Sequence, residues 1–341
     1  MVPLTPSPSP EANGYLEDYR FRSEFLKPRF WPLWLWFGFM WLVSRLPYRL
    51  FCAISRRAGI LFMHLGKDRR YITERNIELC FPDKSPQQRA AIVRESFAGA
   101  GMALFESGFV WWPQNRINKM TRLIGLEHLQ KARSEGKNVL FFTPHNTSLE
   151  PCMSQLSTHE HLNILFRVHD NPFWEYMSGR GRRNFDLRLI PRKQVKNFLH
   201  FLSDGQTGMV AADQDLSKKR SVFVPFFGIP ASTVTSVSDY CRQTGAVAMR
   251  VTGYRRPGQG YAVEISPPLE NFPSDDATAD TARVSLLTEE AIRQHPGDYL
   301  WHHRRFKTRP EGEAPLYERQ KKRKSKKRRA RKSAERALKT Q

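Results

Sequence analysis

Several common functional signatures are missing from this sequence of 341 residues. Its four cysteines are scattered and form neither a C-x-x-C pair nor the His/Cys spacing of a zinc site. This pattern predicts reduced thiols in a cytosol-facing protein and supplies no metal ligands, so we expect no metal. H-E-x-x-H and G-x-S-x-G are absent, which disfavours metalloprotease and serine-hydrolase sites of the usual kind.

Long apolar runs are also missing. The most hydrophobic stretch, FWPLWLWFGFMWLV at 30–43, has fourteen uncharged residues between Arg29 and Arg45, whereas a full membrane span needs about 17–25. Tryptophan, which prefers the headgroup zone, occurs four times within 31–41. We predict a membrane-anchoring helix at 29–51 that is embedded in the membrane or lies on its surface, after a flexible leader at 1–28. A buried core helix is the alternative. The polar start, without a cleavage site, does not predict a signal peptide.

Acidic residues are too few to balance the basic ones, and the formal net charge is +22. Residues 319–341 hold thirteen Lys and Arg against one acid, a charge of +12, which leaves +10 for the rest of the chain. The body should therefore attract an anionic membrane surface, nucleic acid or an acidic protein. The low-complexity segment 318–341 is predicted to be a disordered basic tail, which either binds anionic lipid or RNA or has no dedicated partner.

Strand and helix patterns alternate along the middle of the chain. Short apolar runs predict strands at 138–143, 161–166 and 207–212, and a hairpin at 246–254 and 261–267. Helical spacing is found at 52–113, 193–203 and 278–295, with Ser85 and Pro86 as a helix start. This order predicts the α/β class, with a mixed, mainly parallel central sheet flanked by helices.

The stretch His-Asn-Thr-Ser-Leu-Glu at 145–150 follows the first of these strands. Sites in α/β proteins form where parallel strands end, and Asp213 and Asp215 follow another strand that can end at the same edge. Thr147 and Glu150 also fit a T-x-x-E capping box at a helix start. On one continuous helix His145 and Glu150 would be rotated apart by about 140°, so they can pair only if His145 lies in the turn before the helix.

This H-x4-E motif behind an apolar strand resembles the signature of membrane lipid acyltransferases. Three further stretches resemble the late acyltransferases of lipid A biosynthesis: RVHDNPFWEYMSGRGRRN at 167–184, DQDLSKKRSVFVPFFG at 213–228 and WHHRRFKTRPEGEAPLY at 301–317. The FWPLWLWFG segment resembles theirs as well. The resemblance covers residues 25–317, and it implies an acyltransferase domain at 52–317.

The resemblance implies transfer of an acyl group of the lauroyl or myristoyl class from acyl carrier protein to a hydroxyl of a Kdo-bearing lipid A precursor. The reaction would occur at the cytoplasmic face of a bacterial inner membrane and would need no cofactor beyond the acyl carrier protein thioester as co-substrate. In this interpretation His145 is the general base. Glu150 accepts the other ring N–H and fixes the tautomer.

Other matching residues are implied to bind the transition state or the substrates. Arg182 fits the family's functional arginine, which would stabilise the oxyanion, with Arg180 as the alternative. Asp215 would bind sugar hydroxyls or pair with Arg220. Four further cations would bind the phosphates and carboxylates of the acceptor, and these are Arg304, Arg305, Lys307 and Arg309. The segment 222–228 could line an acyl slot, although a core strand is favoured. Basic surface would also steer the acidic donor protein.

Two other functions fit parts of the sequence. The chain could acylate another lipid, such as a lysophospholipid or a phosphatidylinositol mannoside. It could instead be a membrane-anchored RNA-binding protein, which the basic tail would favour. RNA-binding modules usually interleave aromatic and basic residues, and no such pattern is found here, so no specific nucleic acid is expected.

Overall fold

A seven-stranded sheet forms the centre of this computed structural model, which describes residues 19–112, 114–215 and 220–317. The strands are β1 (Thr121–Ile124), β2 (Val139–Phe142), β3 (Leu162–Phe166), β4 (Leu187–Pro191), β5 (Thr207–Val210), β6 (Ser221–Phe226), β7 (Ile229–Val234), β8 (Val247–Arg256) and β9 (Gly260–Ile265). The order across the sheet is β1-β9-β8-β2-β5-β3-β4, and β6 and β7 form a separate antiparallel pair. Only β8 and β9 run antiparallel within the large sheet. The predicted mixed, mainly parallel sheet is confirmed.

Helices cover both faces of this sheet. They are α1 (Trp31–Ser44), α2 (Tyr48–Leu65), α3 (Lys67–Cys80), α4 (Pro86–Trp111), α5 (Gln114–Met120), α6 (Leu126–Ser134), α7 (Leu149–Leu156), α8 (Pro172–Arg182), α9 (Val195–Ser203), α10 (Ser236–Thr244) and α11 (Ala277–Gln294). Short 3-10 turns occupy Ser23–Leu26, Pro28–Phe30, Arg192–Gln194 and Pro296–Asp298. As predicted, Ser85 caps α4, in a capping box with Gln88, and Pro86 opens its first turn.

The direction of the crossovers assigns the helices to layers. From β2 through α7 to β3, and on through α8 to β4, the chain moves one way across the sheet. From β4 through α9 to β5, and on through α10 to β8, it moves back. Right-handed crossovers therefore put α7 and α8 on one face and α9 and α10 on the other. Helix α4 packs on α1, α7 and α8, so α1 belongs to the first layer.

The helix predicted as an anchor is shorter than 29–51. It ends at Ser44, and α2 starts at Tyr48 and continues across the predicted boundary at residue 51. Fourteen residues of α-helix are about 21 Å long, whereas the hydrocarbon core of a bilayer is about 30 Å thick. Among the described residues no helix has the length and apolar character of a membrane span. The anchor remains a prediction.

Helix α1 has one buried and one exposed face. Phe37, Met40 and Val43 are buried, whereas the side chains of Trp31 and Leu35 are 58% and 76% exposed. The core-helix interpretation therefore describes one face of α1 only. The described part of the predicted flexible leader, 19–28, is anchored by two buried side chains, Tyr19 and Phe25, although most of its residues are exposed. Residues 1–18 of the leader and the predicted tail at 318–341 lie outside the described residues.

Candidate active site

Two adjacent parallel strands carry the central side chains of the site. His145 follows β2 and Asp213 follows β5, and these strands pair with Phe142 opposite Val210. Their carboxyl ends therefore meet at one edge of the sheet, as the sequence predicted for His145 and Asp213. Helix α7 begins only at Leu149, so His145 lies in the turn before the helix, as a pairing with a carboxylate requires.

Asp213 holds the ring of His145. The Nδ1 atom of His145 is in a short hydrogen bond with Asp213 Oδ1, and the backbone N–H of His145 donates to Oδ2 at 2.9 Å. Burial would raise the pKa of the Asp213 carboxyl, but the adjacent imidazole charge and these hydrogen bonds outweigh burial and hold the pKa well below its usual range. Asp213 is therefore a carboxylate at neutral pH, which leaves Nε2 as the ring nitrogen available to a substrate.

The backbone around His145 is fixed by the chain near residue 300. The carbonyl of His145 accepts from the N–H of Leu300 at 3.0 Å, and Thr147 N–H donates to the carbonyl of Asp298 at 2.7 Å. The side-chain amide of Asn146 donates to the carbonyl of Gly253 at 2.7 Å. These hydrogen bonds hold the turn in one conformation, and a general base needs such a fixed orientation toward its substrate.

Glu150 does not contact the ring of His145, so the expected hydrogen bond between them is wrong. Its Oε1 accepts from Arg182 Nε at 2.9 Å and from Nη2. Glu150 lies in the first turn of α7 and Arg182 in the last turn of α8, on the same layer. Its other oxygen, Oε2, is buried, with no hydrogen-bond partner in the described part of the chain. Burial would lower the pKa of Arg182, but the charge of Glu150 outweighs it and raises that pKa.

The T-x-x-E capping box does not form either. The residue that caps α7 is Ser148, and it makes no side-chain capping bond. The hydroxyl of Thr147 instead donates to the carbonyl of Asp298 at 3.0 Å and accepts from Arg255 Nη1 at 2.6 Å. Thr147 therefore belongs to a buried network around Arg255. Neither Thr147 nor Glu150 makes a capping hydrogen bond at the start of α7.

A cavity of about 1030 Å³ opens at this edge of the sheet. His145 and Arg182 both line it, His145 from the turn after β2 and Arg182 from the last turn of α8. Most of the other lining side chains are apolar, and they include Leu149, Met153, Ile164, Leu189 and Met209. A mainly apolar cavity with a base and a guanidinium on its wall can hold an acyl chain beside a proton acceptor and a positive charge.

Two further candidates, Arg180 from the 167–184 stretch and Asp215 from the 213–228 stretch, do not line the cavity. Arg180 is exposed, and its Nη1 donates to the hydroxyl of Tyr176 at 2.8 Å. Asp215 accepts from the backbone N–H of Thr308 at 2.6 Å and from its hydroxyl at 2.9 Å, so it pairs with the 301–317 segment and not with Arg220. By accepting both hydrogen bonds, the Asp215 carboxylate holds the 301–317 segment in place.

The four cations predicted to bind the acceptor differ in exposure. Arg305 is buried: its guanidinium donates to Ser232 O and Thr233 Oγ1 on β7. A substrate cannot reach it in this structure, so its expected binding role is corrected to a structural one. Arg309 is largely buried and donates to Pro230 O at 2.5 Å. Arg304 and Lys307 are exposed, away from the cavity lining.

The favoured interpretation of 222–228 as core is consistent with its packing. Val224, Phe226 and Phe227 are buried, and the ring of Phe227 is 6.0 Å from that of Trp301. No residue of 222–228 lines the cavity. The apolar wall comes instead from helices α7 and α9 and from strands β3, β4, β5 and β7.

Sequence reasoning missed two groups beside the site. Arg255 reaches Thr147 from β8, and nothing near it in sequence marks it as part of this turn. His303 lies close enough to Asp213 and His145 for their charges to act on it, and burial lowers its pKa to about 4 although Asp213 opposes this. The repeated His302-His303 pair was a usable signal for a histidine near the site.

Comparisons with known proteins identify the family. A family model described as bacterial lipid A biosynthesis acyltransferase matches residues 19–308. The chain is 35% identical over 301 residues to both the lipid A biosynthesis palmitoleoyltransferase and the lauroyltransferase of Escherichia coli (strain K12), covering 87% of this chain and 98% of each relative. It is 33% identical to a lipid A biosynthesis acyltransferase of Haemophilus influenzae over 88% of this chain and 98% of the relative. The chain therefore belongs to the bacterial lipid A biosynthesis acyltransferases, and it is an acyltransferase.

Proposed function

We propose that this enzyme moves a fatty acyl group of the lauroyl or myristoyl class from an acyl carrier protein thioester to a hydroxyl of a Kdo-bearing lipid A precursor. The observation that carries the proposal is the cavity that His145, held by Asp213, shares with Arg182. The names of the curated relatives support lipid A as the acceptor class. They do not select the chain length, because relatives named for palmitoleoyl and lauroyl transfer are equally similar.

The chemistry begins with a proton transfer. The acceptor hydroxyl gives its proton to Nε2 of His145 as its oxygen attacks the thioester carbonyl. Asp213 holds the Nδ1 proton and stabilises the imidazolium that forms, as a buried carboxylate does beside a catalytic histidine. The tetrahedral intermediate then collapses, the carbon–sulphur bond breaks, and the imidazolium returns the proton to the departing thiolate. The products are an ester and a free thiol.

Arg182 is suited to stabilise the oxyanion of the intermediate. Two of its nitrogens are bound to Glu150, and Nη1 has no hydrogen bond within the described residues, on a side chain that lines the cavity. A fixed donor aimed at developing negative charge lowers the barrier without reorganisation. In this proposal Glu150 positions Arg182, and Asp213 takes over the orienting role that the sequence assigned to Glu150.

The exposed face of α1 supports the proposed location at the cytoplasmic face of the inner membrane. Trp31, Leu35 and Leu42 are exposed on this helix, and Arg29 and Arg45 flank it. Apolar side chains at the centre with cations at both ends suit a helix that lies in the headgroup region of an anionic bilayer.

An acyl-transfer assay in detergent tests the proposal. Wild-type enzyme receives lauroyl, myristoyl and palmitoleoyl carrier-protein thioesters with a Kdo-bearing lipid A precursor. We expect transfer, a loss of about 10²–10⁴-fold in kcat for His145→Ala, and at least about tenfold for Asp213→Asn, whose amide disfavours the required tautomer. His159→Ala is the matched control, because His159 is exposed, follows the C-terminal end of α7 and does not line the cavity.

Two results would contradict parts of the proposal. If the wild-type enzyme is inert with every carrier-protein thioester but active with another acyl donor, acyl carrier protein is excluded as the donor. Full activity of Asp213→Asn together with loss in Glu150→Gln would return the orienting role to Glu150.

A further inference from the structure

Three cations line the side of the cavity that faces away from α1. Arg192 lies in the turn before α9, Lys196 on α9, and Arg220 at the start of β6. All three are exposed. In the parts of the chain that the structure describes, none of them has an ion pair, whereas Arg167 on the other side pairs with Asp170 at 2.9 Å. We call Arg192, Lys196 and Arg220 the basic lip.

Among the described residues that line the cavity, the one acidic side chain is already engaged. Asp239 on α10 accepts from the hydroxyl of Thr235 at 2.6 Å and lies 3.7 Å from Arg242. Within the described residues, Asp239 therefore has its ion pair outside the basic lip. Exposed cations with no partner at the rim of an apolar cavity form a site for an anion whose remainder enters the cavity.

The layers of the fold separate the two approaches to the cavity. Helix α1 packs on α8, where Trp34 and Phe173 have ring centroids 4.7 Å apart, so the exposed apolar face of α1 belongs to the layer of α7 and α8. The basic lip belongs to the opposite layer, with α9 and α10. A lipid acceptor held at α1 reaches the cavity from the first layer, which leaves the second layer open to a soluble donor.

We infer that the basic lip is the docking surface for the acidic carrier protein, and that it binds the phosphodiester at the base of the carrier's thioester arm. The inference rests on the proposed function, because it takes the donor from there. The arm then runs from the lip along the apolar wall and presents the thioester carbonyl to His145 and Arg182. Arg192 and Lys196 are four residues apart, in the 3-10 turn and in the first turn of the α9 helix that follows it, and both line the cavity, so one phosphodiester at the rim can contact both.

Steady-state kinetics with each substrate varied in turn tests this surface. The double variant Arg192→Gln/Lys196→Gln should raise the KM for the carrier-protein thioester about tenfold, since rim charges act mainly on encounter and docking. The KM for the lipid acceptor and kcat should stay within about twofold. The difference from wild type should shrink as salt is raised.

A matched variant and a binding measurement keep the result unambiguous. Lys131→Gln/Lys137→Gln removes two exposed cations far from the cavity and should behave as wild type. Direct binding of the carrier protein should weaken in the lip variant, and the loss should be larger with the phosphopantetheine arm present than without it.

Each alternative outcome has a separate meaning. A raised KM for the acceptor with an unchanged donor KM would assign the lip to the phosphates of the lipid and overturn the inference. Unchanged binding and kinetics would also overturn it. Wild-type enzyme that binds the carrier protein through the lip but transfers nothing would contradict the proposed reaction and leave the docking surface standing.

Discussion

Arg182 and Arg255 flank the same turn of the chain, and each is paired with a glutamate, but they differ in how many of their donors are used. Arg255 makes five hydrogen bonds: two to Glu106, one to Asp298 Oδ1, and two to the hydroxyl and carbonyl of Thr147. Its five N–H groups are all satisfied. Arg182 uses Nε and Nη2 on Glu150 and leaves Nη1 unbound within the described residues.

The two arginines also differ in their position relative to the cavity. Arg182 lines the cavity, and Arg255 does not. Glu106, the partner of Arg255, is completely buried and also accepts from the hydroxyl of Tyr261 at 2.8 Å. A guanidinium with every donor used inside the protein can only hold structure, whereas one with a donor left over at a cavity wall can also act on a substrate.

The largest expected effect comes from Arg255→Met. The substitution leaves the Glu106 carboxylate buried without its cation, which should lower the free energy of unfolding by about 3–5 kcal/mol. Denaturant unfolding followed by tryptophan fluorescence in detergent measures the loss. The double variant Glu106→Gln/Arg255→Met is the control, and it should recover part of the stability because it removes the fully buried charge of Glu106. Asp298 also loses the guanidinium, but it keeps the hydrogen bond from the backbone N–H of residue 255. A single variant as stable as wild type would show that the network carries no such energy.

Arg182→Lys should have the opposite effect from Arg255→Met: it should lower turnover and leave stability nearly unchanged. Lysine keeps the charge beside Glu150 but cannot present the planar donors of a guanidinium. We expect kcat to fall about 10²-fold or more while the free energy of unfolding changes by less than about 1.5 kcal/mol. Arg180→Lys is the matched control on the same helix, and it should retain wild-type turnover because Arg180 lies outside the cavity lining. If Arg182→Lys destabilises the fold but leaves turnover per folded molecule unchanged, Arg182 does not stabilise the oxyanion.

Much of the fold could be predicted because three of its central strands lie in short, mainly apolar runs. Residues 138–143, 161–166 and 207–212 contain β2, β3 and β5, and all four residues of β2 are buried, as in a sheet covered on both faces. No run of this kind marks β4, LRLIP, because the charged Arg188 and Pro191 interrupt it. Arg188 is nonetheless buried, with Nη1 bonded to Asn163.

The sequence predicts one member of the catalytic pair, and the other depends on how the strands pair in the fold. His145 could be found from its motif and its place after a strand. Its partner Asp213 lies 68 residues away, and only the pairing of β2 with β5 brings the two together. Glu150, the nearer carboxylate in sequence, is bound by Arg182 instead. Among the cations of 301–317, burial decides which are structural, and neighbours such as Arg304 and Arg305 have opposite exposure.

The smallest effect tests how firmly the Arg255 network holds the turn that carries His145. Thr147→Val removes the hydroxyl that accepts from Arg255 Nη1 and donates to the carbonyl of Asp298. One buried N–H then loses its acceptor, which should lower the free energy of unfolding by about 1–3 kcal/mol. Thermal unfolding compares it with Thr147→Ser, which keeps the hydroxyl and should lose less. If the network positions His145, Thr147→Val also lowers kcat, and Thr147→Ser restores it. Equal turnover in wild type and both variants would mean that the bonds of the backbone alone hold His145, and that the Arg255 network stabilises the fold without reaching the chemistry.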